Sequence, residues 1–192
     1  MINTPESMEL CNDKLMSQVV LNTAGIKTAS SFTASNPDTL EAVVTHMETT
    51  GTSKGPVLKY PVILKTLRGT HGIGVMKIES RSSLISVAQT LIKEGIEFII
   101  QEFLPHDQSA RLIMIGDNML AANLRGQPKE KEEFRTNSHL GSETQIYNPS
   151  EEEIALGRRI VELFGCKFCA IDYICVKKDS WETSHPAENE GK

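Results

Sequence analysis

Lys65 stands four residues ahead of Gly69, the first of three glycines spaced G-x-x-G-x-G at Gly69, Gly72 and Gly74. Glycine lets backbone N–H groups approach an anion closely, and a lysine beside such a loop supplies a point charge, so the pair of features suits phosphate. The spacing is neither the dinucleotide fingerprint G-x-G-x-x-G nor the P-loop G-x-x-x-x-G-K-[ST], and both of those run straight into a helix whose N-terminus holds the phosphate. Here the flanking runs 62–67 and 75–78 are apolar and rich in β-branched residues, which predicts strand, loop, strand. The segment 69–74, with Thr70 and Ile73 inside it, is then a mobile hairpin tip that closes over phosphates. The plainer alternative is a lysine on the solvent face of a hairpin with an ordinary turn. His71 at the tip reads as a solvated side chain.

Two other groups have chemical potential. Cys166 and Cys169 have the spacing of a metal pair, but no second pair lies near them and they fall where a helix gives way to an apolar strand, so they read as buried free thiols. The segment 126–148 is polar, charged and without period, too long for a passive connection in a compact domain.

The elements that must position these groups follow from periodicity. Helical spacing predicts helices over 7–24, stopped by Gly25; over 38–47, capped by Asn36 or Asp38; over 82–93; and over 149–164, closed by Gly165. Short strands are expected at 31–33 and 97–101. A hairpin is expected from 111–115 and 119–124 around Gly116-Asp117-Asn118, and a last strand at 168–176. A chain of 192 residues can bury a core without disulfides. Its formal charge of -5 argues against nucleic acid or an anionic membrane as a partner, so any anion site must be local. The start of the chain lacks a basic-then-apolar leader and no stretch approaches a membrane span, which predicts a soluble, cytoplasmic protein.

Several motifs resemble one family in order. The run Pro61-Val-Ile-Leu-Lys-Thr-Leu-Arg-Gly-Thr-His-Gly-Ile-Gly-Val75 resembles the N-lobe of ATP-grasp ligases, particularly ribosomal-protein glutamate ligases of the RimK type. Asn12-Asp13-Lys14-Leu15 is similar to that family's Asp-Lys helix, and Gln101-Glu102-Phe103-Leu104 to its adenine hinge. Phe134-Arg135-Thr136-Asn137-Ser138-His139-Leu140-Gly141 is similar to its phosphate-and-substrate segment, and Ala170-Ile171-Asp172-Tyr173-Ile174 to the strand bearing its first metal carboxylate. The resemblance covers residues 2–176.

It implies an α+β, ATP-grasp fold: two α/β lobes with mainly antiparallel sheets enclosing a nucleotide. Residues 1–101 would form the glycine-loop lobe with the N-terminal helices, 102–176 an incomplete C-terminal lobe, and 177–192 a polar, disordered tail. It further implies an ATP-dependent carboxylate–amine ligase working through an acyl phosphate, or a nucleotide-binding fragment or split subunit without activity of its own. ATP and Mg²⁺, with Mn²⁺ as an alternative ion, are the implied cofactors; a carboxylate and an amine acceptor, a protein C-terminus among the candidates, are the implied partners.

The resemblance implies roles residue by residue. Lys65 would contact the α or β phosphate beneath the tip formed by Gly69, Thr70, Gly72, Ile73 and Gly74, and Lys14 would join the nucleotide groups. Glu102, Phe103 and Leu104 would meet adenine, and Ser109 and Arg111 would lie near the ribose. Arg125 and Arg135 would neutralise the γ phosphate or acyl phosphate, with Thr136 beside them and Asn137 orienting it, and Asp172 would hold metal. Three departures from the family accompany these roles. The resemblance leads us to expect a chain without the family's preliminary domain and without its Glu-x-Asn strand after Val176, where Glu188-Asn189-Glu190 has the letters in the wrong spacing, and Ser109 stands where a ribose-binding aspartate is expected.

Overall fold

The computed structural model describes residues 2–51, 57–68, 73–126 and 143–176. In chain order they form α1 (Pro5–Asn12), α2 (Lys14–Thr23), β1 (Ser31–Phe32), α3 (Pro37–Thr49), β2 (Val62–Thr66), β3 (Val75–Ile78), α4 (Arg81–Lys93), β4 (Phe98–Glu102), β5 (Gln108–Ile115), β6 (Asn118–Gly126), β7 (Thr144–Ile146), α5 (Glu151–Phe164) and β8 (Phe168–Ile174). They divide into two compact units, one built on Lys27–Pro105 and the other on Met1–Ile26 with His106–Cys175. No helix among the described residues is long and apolar enough to cross a membrane.

The unit on Lys27–Pro105 is an antiparallel sheet of order β1-β4-β2-β3. Strand alternation sends Val62 and Leu64 of β2, and Phe98 and Ile100 of β4, to one face, where α3 and α4 cover them with Leu40, Val44, Leu84 and Ala88. Most of these side chains are wholly shut off from solvent, and each large one contributes about 1.5–3 kcal/mol by burial. Asn36 caps α3 by accepting from the Asp38 amide at 2.7 Å, and Ser80 caps α4. The alternation also leaves Ile63 and Lys65 on the face away from the helices.

The other unit carries a second antiparallel sheet, of order β7-β6-β5-β8. Leu112 and Met114 of β5, Ala122 of β6 and Ile171 of β8 pack with Val161 and Phe164 of α5. A capping box starts α5, with Ser150 and Glu153 satisfying each other's amides, and Gly165 ends it at φ +62°. Leu10, Val20 and Leu21 add α1 and α2 to this core. The first two helices therefore pack with the second sheet, whereas the boundary expected at 101/102 groups them with the glycine-loop segment.

The structure corrects two readings of local order. The helix expected over 7–24 is two helices, because Asp13 leaves the helical region (φ -89°, ψ 106°) and its carboxylate accepts from the amides of Leu15 and Met16, making it the end of α1 and the cap of α2. The second is β7, a strand not expected within 126–148, the segment read as polar and without period. All three of its residues are exposed, so no apolar alternation marks it; only backbone pairing to β6 defines it. The tail expected at 177–192 lies outside the described residues.

Candidate functional site

On the second sheet, the face away from α5 collects polar groups from three strands. Cross-strand register places Arg111 of β5 opposite Asp172 of β8 and Asn123 of β6, and places Ser109 opposite Arg125. Two-residue alternation then keeps Ser109, Arg111, Asn123, Arg125 and Asp172 on one face. Arg111 grips Asp172 with both ends of its guanidinium, Nε donating to Oδ1 at 2.7 Å and an Nη to Oδ2 at 2.6 Å. Arg125 approaches the same carboxylate from β6 at 3.5 Å.

These partners affect the two arginines in opposite directions. The hydrogen bonds that Arg111 donates to Asp172 raise its pKa above the ordinary value, outweighing a smaller opposing effect of burial. Burial lowers that of Arg125, and repulsion from Arg111 adds to the decrease while Asp172 offsets part of it. Arg125 is 7% exposed, and its Nε has no hydrogen-bond partner among the described residues; the same is true of Asn123 Oδ1. A buried guanidinium with an unused donor, beside a second arginine and one carboxylate, leaves a net charge of +1 over the three groups. That combination suits an anion such as phosphate.

The first sheet presents its own set. Lys65 donates to Gln101 Oε1 at 2.6 Å, and Gln101 Nε2 donates to Ser31 Oγ at 2.9 Å, so β2, β4 and β1 jointly hold the ammonium. Its neighbours on that face, Ile63, Ile99 and Gln101, are all buried, which is not the setting of an ordinary solvent-facing lysine. Lys77, two residues along β3 from Val75, lies on the same face, with its ammonium 4.9 Å from the centre of the Phe103 ring. Glu102 is held at the end of β4, its Oε1 accepting from the Ser30 amide at 2.7 Å and its own amide donating to Ser30 O. Leu104 is buried. In the other unit, Lys14 opens α2, where burial lowers its pKa against the opposing charge of Asp13.

At the hairpin tip, Ile73 is 77% exposed. Gly74 has φ +78°, and a Cβ there would lie 2.2 Å from Thr66 Oγ1. Gly69, Thr70, Gly72, Arg135, Thr136 and Asn137 lie outside the described residues. Gly74→Ala therefore combines an unfavourable left-handed backbone with a clash, and is expected to cost about 1–3 kcal/mol in chemical denaturation. Adding Thr66→Ala should recover the steric part and leave the backbone part; no recovery would show that the close approach is not what requires glycine.

Residues 11–182 match the family profile described as a RimK-like ATP-grasp domain. The chain belongs to that family. A probable alpha-L-glutamate ligase of Halorhodospira halophila is 30% identical over 175 residues, which are 90% of this chain and 54% of that protein. This RimK-like chain thus spans about half the length of the curated relatives it matches. Its fold is also that of solved ATP-grasp structures. The D-alanine–D-alanine ligase of Bacillus anthracis complexed with ATP superposes with a TM-score of 0.66 at 16% identity, over 93% of this chain and 54% of that one. A RimK domain ATP-grasp protein of Sphaerobacter thermophilus gives 0.60 at 20% identity, over 91% and 57%.

Among the expected site residues, the structure brings Ser109, Arg111, Arg125 and Asp172 together on one RimK-like sheet face. Lys65 lies on the other sheet, with Glu102, Phe103 and Leu104 at and beyond the end of β4. Sequence reasoning did not assign site roles to Asn123, Gln101 or Lys77. Each sits two positions from an expected residue or register partner on a strand, so period-two alternation was the available signal.

Proposed function

We propose that this RimK-like ATP-grasp chain binds ATP and serves an ATP-dependent carboxylate–amine ligase reaction through an acyl phosphate. The observation that carries the reading is Arg125, buried beside the Arg111–Asp172 pair with its Nε unpaired among the described residues. In this reaction a substrate carboxylate oxygen attacks the γ phosphorus and ADP leaves; an amine then attacks the acyl carbon and phosphate leaves. Negative charge builds on phosphoryl oxygens in the first step and on the carbonyl oxygen in the second. Arginines already fixed in place stabilise such charge without reorganising.

Roles follow from the chemistry of each group. Arg125 and Arg111, with Arg135 and Asn137 from the 126–148 segment, receive the transferred phosphoryl group. Lys65 holds the α or β phosphate beneath the glycine tip, and the tip limits hydrolysis of the acyl phosphate by keeping water out. Phe103 and Leu104 offer apolar contact to adenine. Because the Glu102 carboxylate is already engaged by the Ser30 amide, the backbone after β4 is its available means of reading the base edge. Ser109 offers a hydroxyl toward the ribose, and Lys14 and Thr136 belong to the nucleotide set. The acid is glutamate or a close analogue, and the acceptor an amine, a peptide among them.

The described residues do not by themselves make a magnesium site. No three His, Cys, Asp or Glu side chains among them cluster as ligands, and Asp172, the one carboxylate on the polar face, has both oxygens engaged by Arg111. A hard dication prefers several oxygen ligands and is repelled by neighbouring guanidinium groups. That same observation favours a second reading, in which the chain binds nucleotide without turning it over.

Thermal denaturation separates these outcomes. ATP at millimolar concentration should raise Tm, since a ligand confined to the folded state stabilises it by about 2.7 kcal/mol at a hundred times its Kd. The titration is run with magnesium and with EDTA. No shift in either condition would sink both readings. Phosphate release that depends on L-glutamate and an amine supports the ligase, whereas a shift without release supports binding alone.

A further inference from the structure

Three thiols meet on the side of the second unit away from its polar face. Cys11, at the end of α1, places its sulfur 3.6 Å from that of Cys166, which lies between α5 and β8. The two residues are 155 positions apart in sequence. Cys169 on β8 packs against the same core as Cys166, near enough to both other thiols for them to influence its own protonation. It joins Leu10, Val161 and Phe164 in the core beneath α5. Asp172 is three residues further along the same strand, an odd separation, and so faces the opposite way.

We propose that Cys11 and Cys166 form a reversible intramolecular disulfide, a redox modification site distinct from the proposed phosphate-binding face. A disulfide has sulfurs about 2.05 Å apart, and the two sulfurs already stand in contact at 3.6 Å. Cys11 is the exposed member and Cys166 the buried one, so an oxidant meets Cys11 first while its partner stays shielded. The oxidant class is a peroxide. The Cys11 thiolate attacks one peroxide oxygen, the O–O bond breaks, and water leaves after protonation to give a sulfenic acid. The Cys166 sulfur then attacks the Cys11 sulfur, its proton leaving with the sulfenyl oxygen as a second water. Overall, two thiols and one hydrogen peroxide yield one disulfide and two waters.

Burial pushes the Cys11 thiol up to about 12, with the adjoining thiols adding to the shift. The nucleophilic form is therefore scarce at neutral pH, and the bond forms under sustained oxidant rather than on brief contact. Once made, it ties α1 to the loop ahead of β8 and closes a very long loop, which restricts the unfolded chain.

The test uses the full chain, treated with hydrogen peroxide, alkylated, digested without reductant and mapped by mass spectrometry. Peptides bearing Cys11 and Cys166 should be joined with the loss of two hydrogens, and Tm should rise by roughly 5–10 °C. Both effects should reverse with dithiothreitol, vanish in Cys11→Ser and persist in Cys175→Ser. A Cys166–Cys169 bond, a bond between two chains, Cys11 oxidised only to sulfinic or sulfonic acid, or full alkylation of all four cysteines after peroxide would each overturn the proposal.

Discussion

Arg125→Ala is expected to lower turnover of the proposed ligase reaction by about 10²–10³-fold, the loss seen when one preorganised donor is removed from charge that develops in a transition state. The buried position of Arg125 makes the effect large, because its charge acts with little solvent screening and the surrounding strands fix its direction. The fold should tolerate the change: Asp172 keeps both hydrogen bonds from Arg111, and no other described carboxylate loses its partner. The measurement is kcat at saturating ATP and L-glutamate, with urea denaturation alongside to confirm that stability is retained. Arg125→Lys should recover only part of the rate, since a point charge replaces a planar donor. If the chain binds nucleotide without turnover, the same substitution should instead narrow the difference in affinity between ATP and AMP. Wild-type behaviour in both assays from a folded variant would remove Arg125 from the site.

Lys65→Ala should weaken ATP binding by about 1.5–3 kcal/mol, or roughly 10- to 150-fold in Kd, the range for a charge-assisted hydrogen bond. Gln101 separates this loss from a simple packing defect. It receives the lysine ammonium and passes the restraint to Ser31, so Gln101→Leu should leave the charge in place but loosen it, with a smaller loss of affinity than Lys65→Ala. Isothermal titration with ATP and with adenosine distinguishes the roles: Lys65→Ala should spare adenosine, which has no phosphate. Equal losses for both ligands would show that the substitution damages the sheet rather than a phosphate contact, and an unchanged ATP affinity would restore the solvent-facing reading.

Most of the secondary structure was legible because its causes are local. The helices α3, α4 and α5 follow from apolar residues at three- and four-residue spacing, and Asn36, one of the two caps expected for α3, starts it. The glycine hairpin could be told from a P-loop because residues 75–78 are strand-forming, and β3 occupies those positions. Where sequence reasoning failed, the deciding contact was of another kind. Asp13 breaks a helix that apolar spacing alone would continue, by turning its carboxylate onto the chain's own amides. The strand β7 exists through backbone bonds to β6, which no side-chain pattern encodes.

Membership of the RimK-like ATP-grasp family was likewise readable in advance, since ordered motifs at 12–15, 61–75, 101–104, 134–141 and 170–174 are properties of the one-dimensional chain. By itself, then, the sequence determined the family, the strand-loop-strand around Gly69 to Gly74 and the kinds of groups available for phosphate. Strand register alone decided that Arg111 and Arg125 converge on Asp172, engaging the carboxylate expected to hold metal. Helix packing alone decided that Cys11 meets Cys166 across 155 positions. Period and spacing report what a residue's near neighbours require, whereas such meetings depend on how separate elements pair and pack, and no short stretch of chain contains that information.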